Sequence, residues 1–234
     1  MELIWYIEAI LKGKLLQTYF KRVLNPFYFV KKTISDIINI GEDNMNKLIN
    51  DIKEYLPFNE QEQKDKELIL KLIKEENILT RDNKYYHFTS SAWVVSPDFK
   101  KVLMVYHNIY NSWSWMGGHA DGESDLLKVA IKEVKEESGL KHLEILSPNI
   151  FSLEVLCVDG HEKKGKYIPS HLHLNVTYLL MAEECDELAI KPDENSGVEW
   201  IDINYIDKRV TEEWMKKRIY FKLQQKIGDK NAQN

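Results

Sequence analysis

An α+β or α/β sandwich is the fold class that the sequence predicts, and three observations point to it. Segments rich in aromatic and β-branched residues begin near Tyr85 and recur to about residue 202. A helix carrying two distinct stripes lies among them, and a second helical pattern closes the chain. The chain has 234 residues and an apolar share of 44%, enough for one large domain, or a medium domain with an extension, built on a real hydrophobic core.

Residues 1–82 read as helical. Leu3, Ile7, Ile10 and Leu11 recur at helical spacing, followed by Leu15, Leu16, Tyr19 and Phe20, until Asn25-Pro26 interrupts the pattern. A second helix is expected from about Asp43 to Tyr55, ended by Leu56-Pro57. A third contains Leu68, Leu70, Leu72 and Ile73 and leaves through Thr80–Asn83. From Tyr85 the pattern changes. Residues 87–96 and 102–106 read as a hairpin joined by Ser96-Pro97-Asp98. A glycine-rich loop, Gly117 to Gly122, feeds a helix from about Ser124 to Ser138. Further strands are expected at 150–158, 171–181 and 198–202, and a closing helix at roughly 209–227. The division that follows is a helical extension over 1–82 and a mixed domain over 83–234.

Charge narrows the function. The formal net charge is −5, from 32 basic and 37 acidic side chains, which argues against a dedicated nucleic-acid binder with a dense basic face. A small anionic substrate stays open, because a bound metal supplies positive charge. Cys157 and Cys185 lie far apart and are expected to be buried free thiols in a reducing compartment. No apolar run has bilayer length, and the start of the chain has acids where a signal peptide needs a basic patch, so a cytoplasmic location is expected. Residues 1–40 carry six basic and three acidic side chains among seven aromatics. Such a segment suits either an acidic membrane surface or, the reading preferred, packing on the rest of the protein or on a second copy in a homodimer.

The chemistry is concentrated in one helix. Glu133, Glu136 and Glu137 stand at i, i+3 and i+4, which brings three carboxylates onto one face. Leu127, Ala130, Ile131 and Val134 form an apolar stripe centred roughly 110° away, so the acids are expected to flank the buried stripe at a cleft. Clustered carboxylates repel, and a divalent cation with a preference for hard oxygen ligands removes that cost. Taken alone, the string also reads as a solvated face paired to Lys132 and Lys135. Its surroundings decide: Trp115-Met-Gly-Gly-His-Ala-Asp-Gly-Glu-Ser124 precedes it and Ser138-Gly139-Leu140 follows.

Together these residues resemble the Nudix box, G-x5-E-x7-R-E-U-x-E-E-x-G-U with U bulky and apolar. Anchored on Gly118, the pattern places Lys132 at its Arg, then Glu133, Val134, Glu136, Glu137, Gly139 and Leu140 in register. Its first Glu falls on Ser124, with Glu123 one place early. In the family that Glu braces the loop–helix junction, a role open to Glu123, while Ser124 suits a helix cap. Lys132 keeps the charge of the family's Arg without its bidentate fork. Residues 1–82 lie outside the resemblance.

The resemblance implies an α/β/α sandwich with a mixed sheet over about 85–225, and a pyrophosphohydrolase activity on a small nucleotide-type substrate. It implies Mg²⁺, with Mn²⁺ as substitute, held chiefly by Glu136 and Glu137 with Glu133 and the backbone of Gly118. Glu194, with Asp193 as second choice, or Glu133 is the implied general base. Gly117, Gly118, His119, Trp115 and His173 are expected at the substrate. The leading substrate class is a nucleoside diphosphate linked to another moiety, ADP-ribose-like. A nucleoside triphosphate, or a nucleotide-sensing module without catalysis, are the alternatives. Trp113 and Tyr106 join Trp115 as stacking candidates, or serve as core. His171 and His173 share a strand face, and with His119 they are either a transition-metal set or hydrogen-bonding partners of substrate or backbone.

Overall fold

The computed structural model describes residues 44–163 and 165–232. The expected helices of residues 1–25 and the choice between membrane and packing for residues 1–40 lie outside the described residues. The described residues from Lys47 onward form one compact unit. Two helices precede its sheet in the chain, α1 (44–54) and α2 (Glu60–Leu72). Asn59 caps α2, its side chain accepting from the Glu62 N–H at 2.9 Å.

The sheet is mixed. Its main path runs β10 (Asn195–Asp202), β2 (Lys101–His107), β1 (Tyr86–Val95), β9 (His171–Met181) and β5 (Glu144–Ile145). Three further strands pair alongside: β3 (Ser112–Ser114) on β2, β4 (Met116–His119) on β1, and β6 (Ser152–Val158) on β9. β1 and β9 are parallel over ten residue pairs, while the remaining pairs are antiparallel. A separate hairpin joins β7 (His161–Lys163) to β8 (Lys166–Ile168). β1 is buried almost throughout, as a central strand covered on both faces must be. The expected hairpin forms, with Ser96 Oγ accepting from the Lys101 N–H at 3.0 Å across the turn.

Alternate residues of β1 show what covers each face. Ser90 Oγ donates to the Leu126 carbonyl at 2.6 Å, which places helix α3 (Leu126–Ser138) on one side. Trp93 stacks on Tyr220 with ring centroids 5.7 Å apart, which places the chain's last helices on the other. There the core gathers Trp93, Met104, Trp115, Tyr220, Leu223 and Ile227. The expected single closing helix is divided into α4 (Ile206–Arg209), α5 (Glu213–Met215), a π turn at Lys216–Tyr220 and α6 (Phe221–Ala232). Extended backbone at Val210 separates the first two.

A polar cluster lies within this second layer. Glu62 and Glu154, both fully buried, share Lys222 at 3.0 and 2.8 Å. Lys226 reaches Glu62 at 3.1 Å, and Ser152 Oγ donates to Glu62 at 2.8 Å. Glu154 also accepts from Asn175 and Thr177, each at 3.0 Å. The cluster joins α2, β6, β9 and α6. Its charges are mutually neutralised and hydrogen-bonded, the condition under which burying them is tolerable. Both cysteines are free, as expected, but exposed rather than buried. Among the described residues no helix is long and apolar enough to cross a membrane.

Candidate active site

Helix α3 starts at Leu126 with Asp125 as its cap, the carboxylate accepting from the Lys128 N–H at 3.3 Å. The cap is therefore one residue beyond Ser124. Glu123 does brace the junction: its carboxylate accepts from the Asp125 N–H at 3.1 Å and pairs with Lys128. At the other end Gly139 has φ +75°, a left-handed C-cap that a side chain disfavours, and its N–H reaches Lys135.

The helix is rotated relative to the sequence reading. Its buried face holds Leu126, Val129, Ala130, Glu133, Val134 and Glu137, whereas Leu127 and Ile131 are only half-buried. The acids therefore do not all flank the stripe, because two of them belong to it. Glu137 is 3% exposed and Glu133 9%, while Glu136 points outward between Lys132 and Lys191, at 3.4 and 3.3 Å. The apolar residues alone misplace the stripe, because two carboxylates share the buried face with them.

Glu133, Glu137 and Glu194 each offer a carboxylate oxygen, and these atoms lie within 4.8 Å of one another. Glu194 enters from the loop before β10. Lys191 pairs with it at 2.9 Å, and buried Asn195 fixes the loop to the end of α3 through its amide, which donates to the Glu137 carbonyl at 2.9 Å. The carboxylate of Glu137 accepts from the Gly117 N–H at 2.9 Å. Burial, reinforced by Glu133 and Glu194, pushes the Glu137 carboxyl up to about 8, against the opposing pull of Gly117 and Lys191. Lys132 Nζ lies 3.0 Å from Glu133 Oε1, an ion pair beside the buried acids.

The glycine pair closes the site from above. A Cβ at Gly118 would stand 2.5 Å from the Glu133 carboxyl carbon, so only glycine lets β4 approach this acid. Three converging carboxylates under a backbone that permits no side chain fit a hard divalent cation. Their charge is incompletely matched by Lys132 and Lys191, and every donor is an oxygen.

The other expected residues divide. Gly117, Gly118, Glu133, Glu137, Glu194 and Lys132 meet in one place, with Glu136 on the rim and Asp193 exposed outside the trio. Trp115 is 7% exposed in the core with its ring against Tyr220, which leaves no free face for a base. Trp113 packs edge-on against Tyr106 and beneath the Arg209 guanidinium, 4.7 Å from the ring. His119 and His173 join His87 and His171 instead of the carboxylates. Residue 119 pairs with Thr89 and residue 118 with Ser90, so they face opposite sides of the sheet. Sequence reasoning missed Lys191 and Asn195. The i, i+3 spacing of Lys191 and Glu194 is a readable hint, whereas the reach of Asn195 to Glu137 spans 58 residues and leaves no local trace.

A family model described as the NUDIX domain matches residues 86–223. The chain belongs to the Nudix family. With membership comes the class of activity, a pyrophosphohydrolase, and the site above lies wholly within the matched residues or, as at Lys191 and Glu194, in a loop inside them. No curated protein matches this Nudix chain at the level of sequence. Solved structures similar to it include an Ap4A hydrolase binary complex from C. elegans, at 20% identity and TM-score 0.46 over 63% of this chain and 98% of that one. A NUDIX family hydrolase from Clostridium perfringens has 18% identity and TM-score 0.43 over 61% and 96%. The E. coli dihydroneopterin triphosphate pyrophosphohydrolase has 15% identity and TM-score 0.42 over 57% and 91%.

Proposed function

We propose that this Nudix enzyme hydrolyses the diphosphate linkage of a nucleoside diphosphate joined to another moiety, with ADP-ribose-like compounds as the leading class. Mg²⁺ is the proposed cofactor, with Mn²⁺ as its substitute. The observation that carries the reading is the convergence of Glu133, Glu137 and Glu194 beneath Gly117-Gly118.

Glu133 and Glu137 would hold the cation, with Glu194 and the outward-facing Glu136 completing the acidic mouth. A cation held there would supply the charge that neutralises a diphosphate and would make water a better nucleophile at neutral pH. The backbone at Gly117 and Gly118 lets a phosphoryl group approach without side-chain obstruction. Glu194 or Glu133 accepts the proton of the attacking water, each oriented by its own lysine, Lys191 or Lys132. The water oxygen bonds to phosphorus, the bridging P–O bond breaks, and the bridging oxygen leaves with the second phosphoryl group. Two phosphorylated fragments result. The catalytic domain would span 83–234, with residues 1–82 as an extension that serves packing or a homodimer.

Product analysis by chromatography tests this reading. The full chain is given ADP-ribose, NADH, nucleotide sugars, dinucleoside polyphosphates, coenzyme A and nucleoside triphosphates, each with Mg²⁺, with Mn²⁺ and with chelator. Cleavage of ADP-ribose or a nucleotide sugar into two monophosphates, abolished by chelator, is the expected result. Release of pyrophosphate from a nucleoside triphosphate alone would replace the substrate class, and an absence of cleavage across the panel would overturn the reading.

A further inference from the structure

We propose that His87, His171 and His173 form a second metal site, for Zn²⁺, on the opposite face of the sheet from the carboxylates. Each of the three offers a ring nitrogen, and these nitrogens lie within 4.8 Å of one another. Parallel pairing makes the arrangement: His87 of β1 and His173 of β9 are Cα partners, and His171, two residues back on β9, points to the same face. Ring centroids of His87 stand 5.1 Å from both His171 and His173, and His119 borders the group at 5.1 Å from His87 and 4.9 Å from His173.

Hydrogen bonds fix which nitrogens face inward. His87 Nδ1 lies 3.0 Å from the Asn83 carbonyl, and His171 Nδ1 lies 2.9 Å from the Pro169 carbonyl. A carbonyl only accepts, so both Nδ1 atoms carry protons, and Nε2 is the nitrogen each ring has left for a metal. Backbone carbonyls on the outer nitrogens are the support that orients metal-binding imidazoles. His171 Nε2 and His173 Nε2 lie 3.1 Å apart. Two imidazole nitrogens on one tetrahedral Zn²⁺ stand about 3.3 Å apart, so this pair already has nearly the required separation. His87 Nε2 is the decisive atom. It is buried in a residue only 4% exposed and has no hydrogen-bond partner. A buried acceptor left unmet beside two convergent imidazoles is accounted for by a cation between them.

Burial favours the neutral, ligating form of two of these rings, His173 and His87: desolvation first, then the neighbouring histidines, hold His173 down at about 2, and burial lowers His87 as well. Nitrogen ligands alone suit Zn²⁺ and exclude Mg²⁺, which takes oxygen. The two sites are therefore separable by metal as well as by place. An ion here would tie β1 to β9 across a parallel pair.

The test is Zn²⁺ binding to the metal-stripped full chain in excess Mg²⁺, followed by calorimetry and by X-ray absorption of the bound zinc. One equivalent is expected, with imidazole scattering and Zn–N distances of about 2.0–2.1 Å. His87→Gln and His171→Gln should each weaken binding by at least about 100-fold, more than the loss of an outer-shell partner costs. Glu137→Gln should leave it unchanged. No zinc uptake, oxygen-only coordination, or equal binding in the histidine variants would overturn the proposal. Should a variant fail to fold, Co²⁺ in the wild-type chain decides: strong tetrahedral visible bands support the site, and weak octahedral ones refute it.

Discussion

At the scale of single residues the site depends on one atom that is absent. A methyl group at Gly118 would collide with the Glu133 carboxyl, although nothing about the backbone there demands glycine. Gly118→Ala is therefore expected to lower metal-dependent turnover by about 10–100-fold, the usual cost of displacing a metal ligand's support, while the melting temperature hardly changes. Steady-state kinetics beside a thermal melt checks both halves. Lys132 gives the complementary case. Its side chain is well exposed, so Lys132→Ala should cost less than about 1 kcal/mol of stability by urea denaturation. Its effect should appear in turnover, because Glu133 loses the charge that orients it. Residue identities of this kind were legible in the sequence: helical spacing grouped Glu133, Glu136 and Glu137, and the resemblance to the Nudix box put Gly118 and Lys132 in register with them. Which acids point inward was not. Glu136 and Glu137 are adjacent in the chain and opposite in exposure, a distinction set by the rotation of α3 against β4.

At the scale of elements α3 is held at both ends, and each end makes a separate prediction. Asp125→Ala removes the N-cap and should cost about 1 kcal/mol without altering the acids. Asn195→Ala should cost more, about 1–3 kcal/mol, because it strands the buried Glu137 carbonyl. It should also depress turnover, since the same loop carries Glu194. Chemical denaturation and kinetics on the pair separate a purely structural anchor from one that positions the acid. Helix α3 and the first hairpin were readable from local pattern, as were the bounds of β9. The parallel pairing of β1 with β9 was not, because partners such as His87 and His173 are 86 residues apart in the chain and no local periodicity records the match. For the same reason His87 went unnoticed as a companion of His171 and His173.

At the scale of the whole molecule the buried acids and lysines between α2, β6, β9 and α6 predict acid sensitivity. Lys222 and Lys226, with the hydrogen bonds from Tyr55 and Phe58, overcome the desolvation of Glu62 and hold its carboxyl down at about 2, below its ordinary 4.5. A depressed carboxyl stabilises the fold fully above its unfolded value and loses that contribution as pH falls toward the folded one. Stability should thus decline between about pH 4.5 and 2 by on the order of 3 kcal/mol from this residue. Glu62→Gln should flatten that part of the profile, as followed by denaturation at stepped pH. No sequence signal announced this cluster: Glu62 and Glu154 sit in a charged helix and an alternating strand, and the packing of α2 on β6, with Lys222 of α6 reaching both acids, brings them together. The mixed sheet with helices on both faces was foreseen, and its polar interior was not.

The account rests most heavily on the trio of Glu133, Glu137 and Glu194 as the centre of hydrolysis. The most direct test is turnover of a cleaved diphosphate compound by Glu137→Gln under saturating Mg²⁺. The substitution keeps the side chain's shape and an acceptor for the Gly117 N–H, so the fold should survive by circular dichroism and thermal melt. Turnover is expected to fall by at least about 100-fold. A folded Glu137→Gln protein that retains wild-type, chelator-sensitive turnover would contradict the assignment of this site.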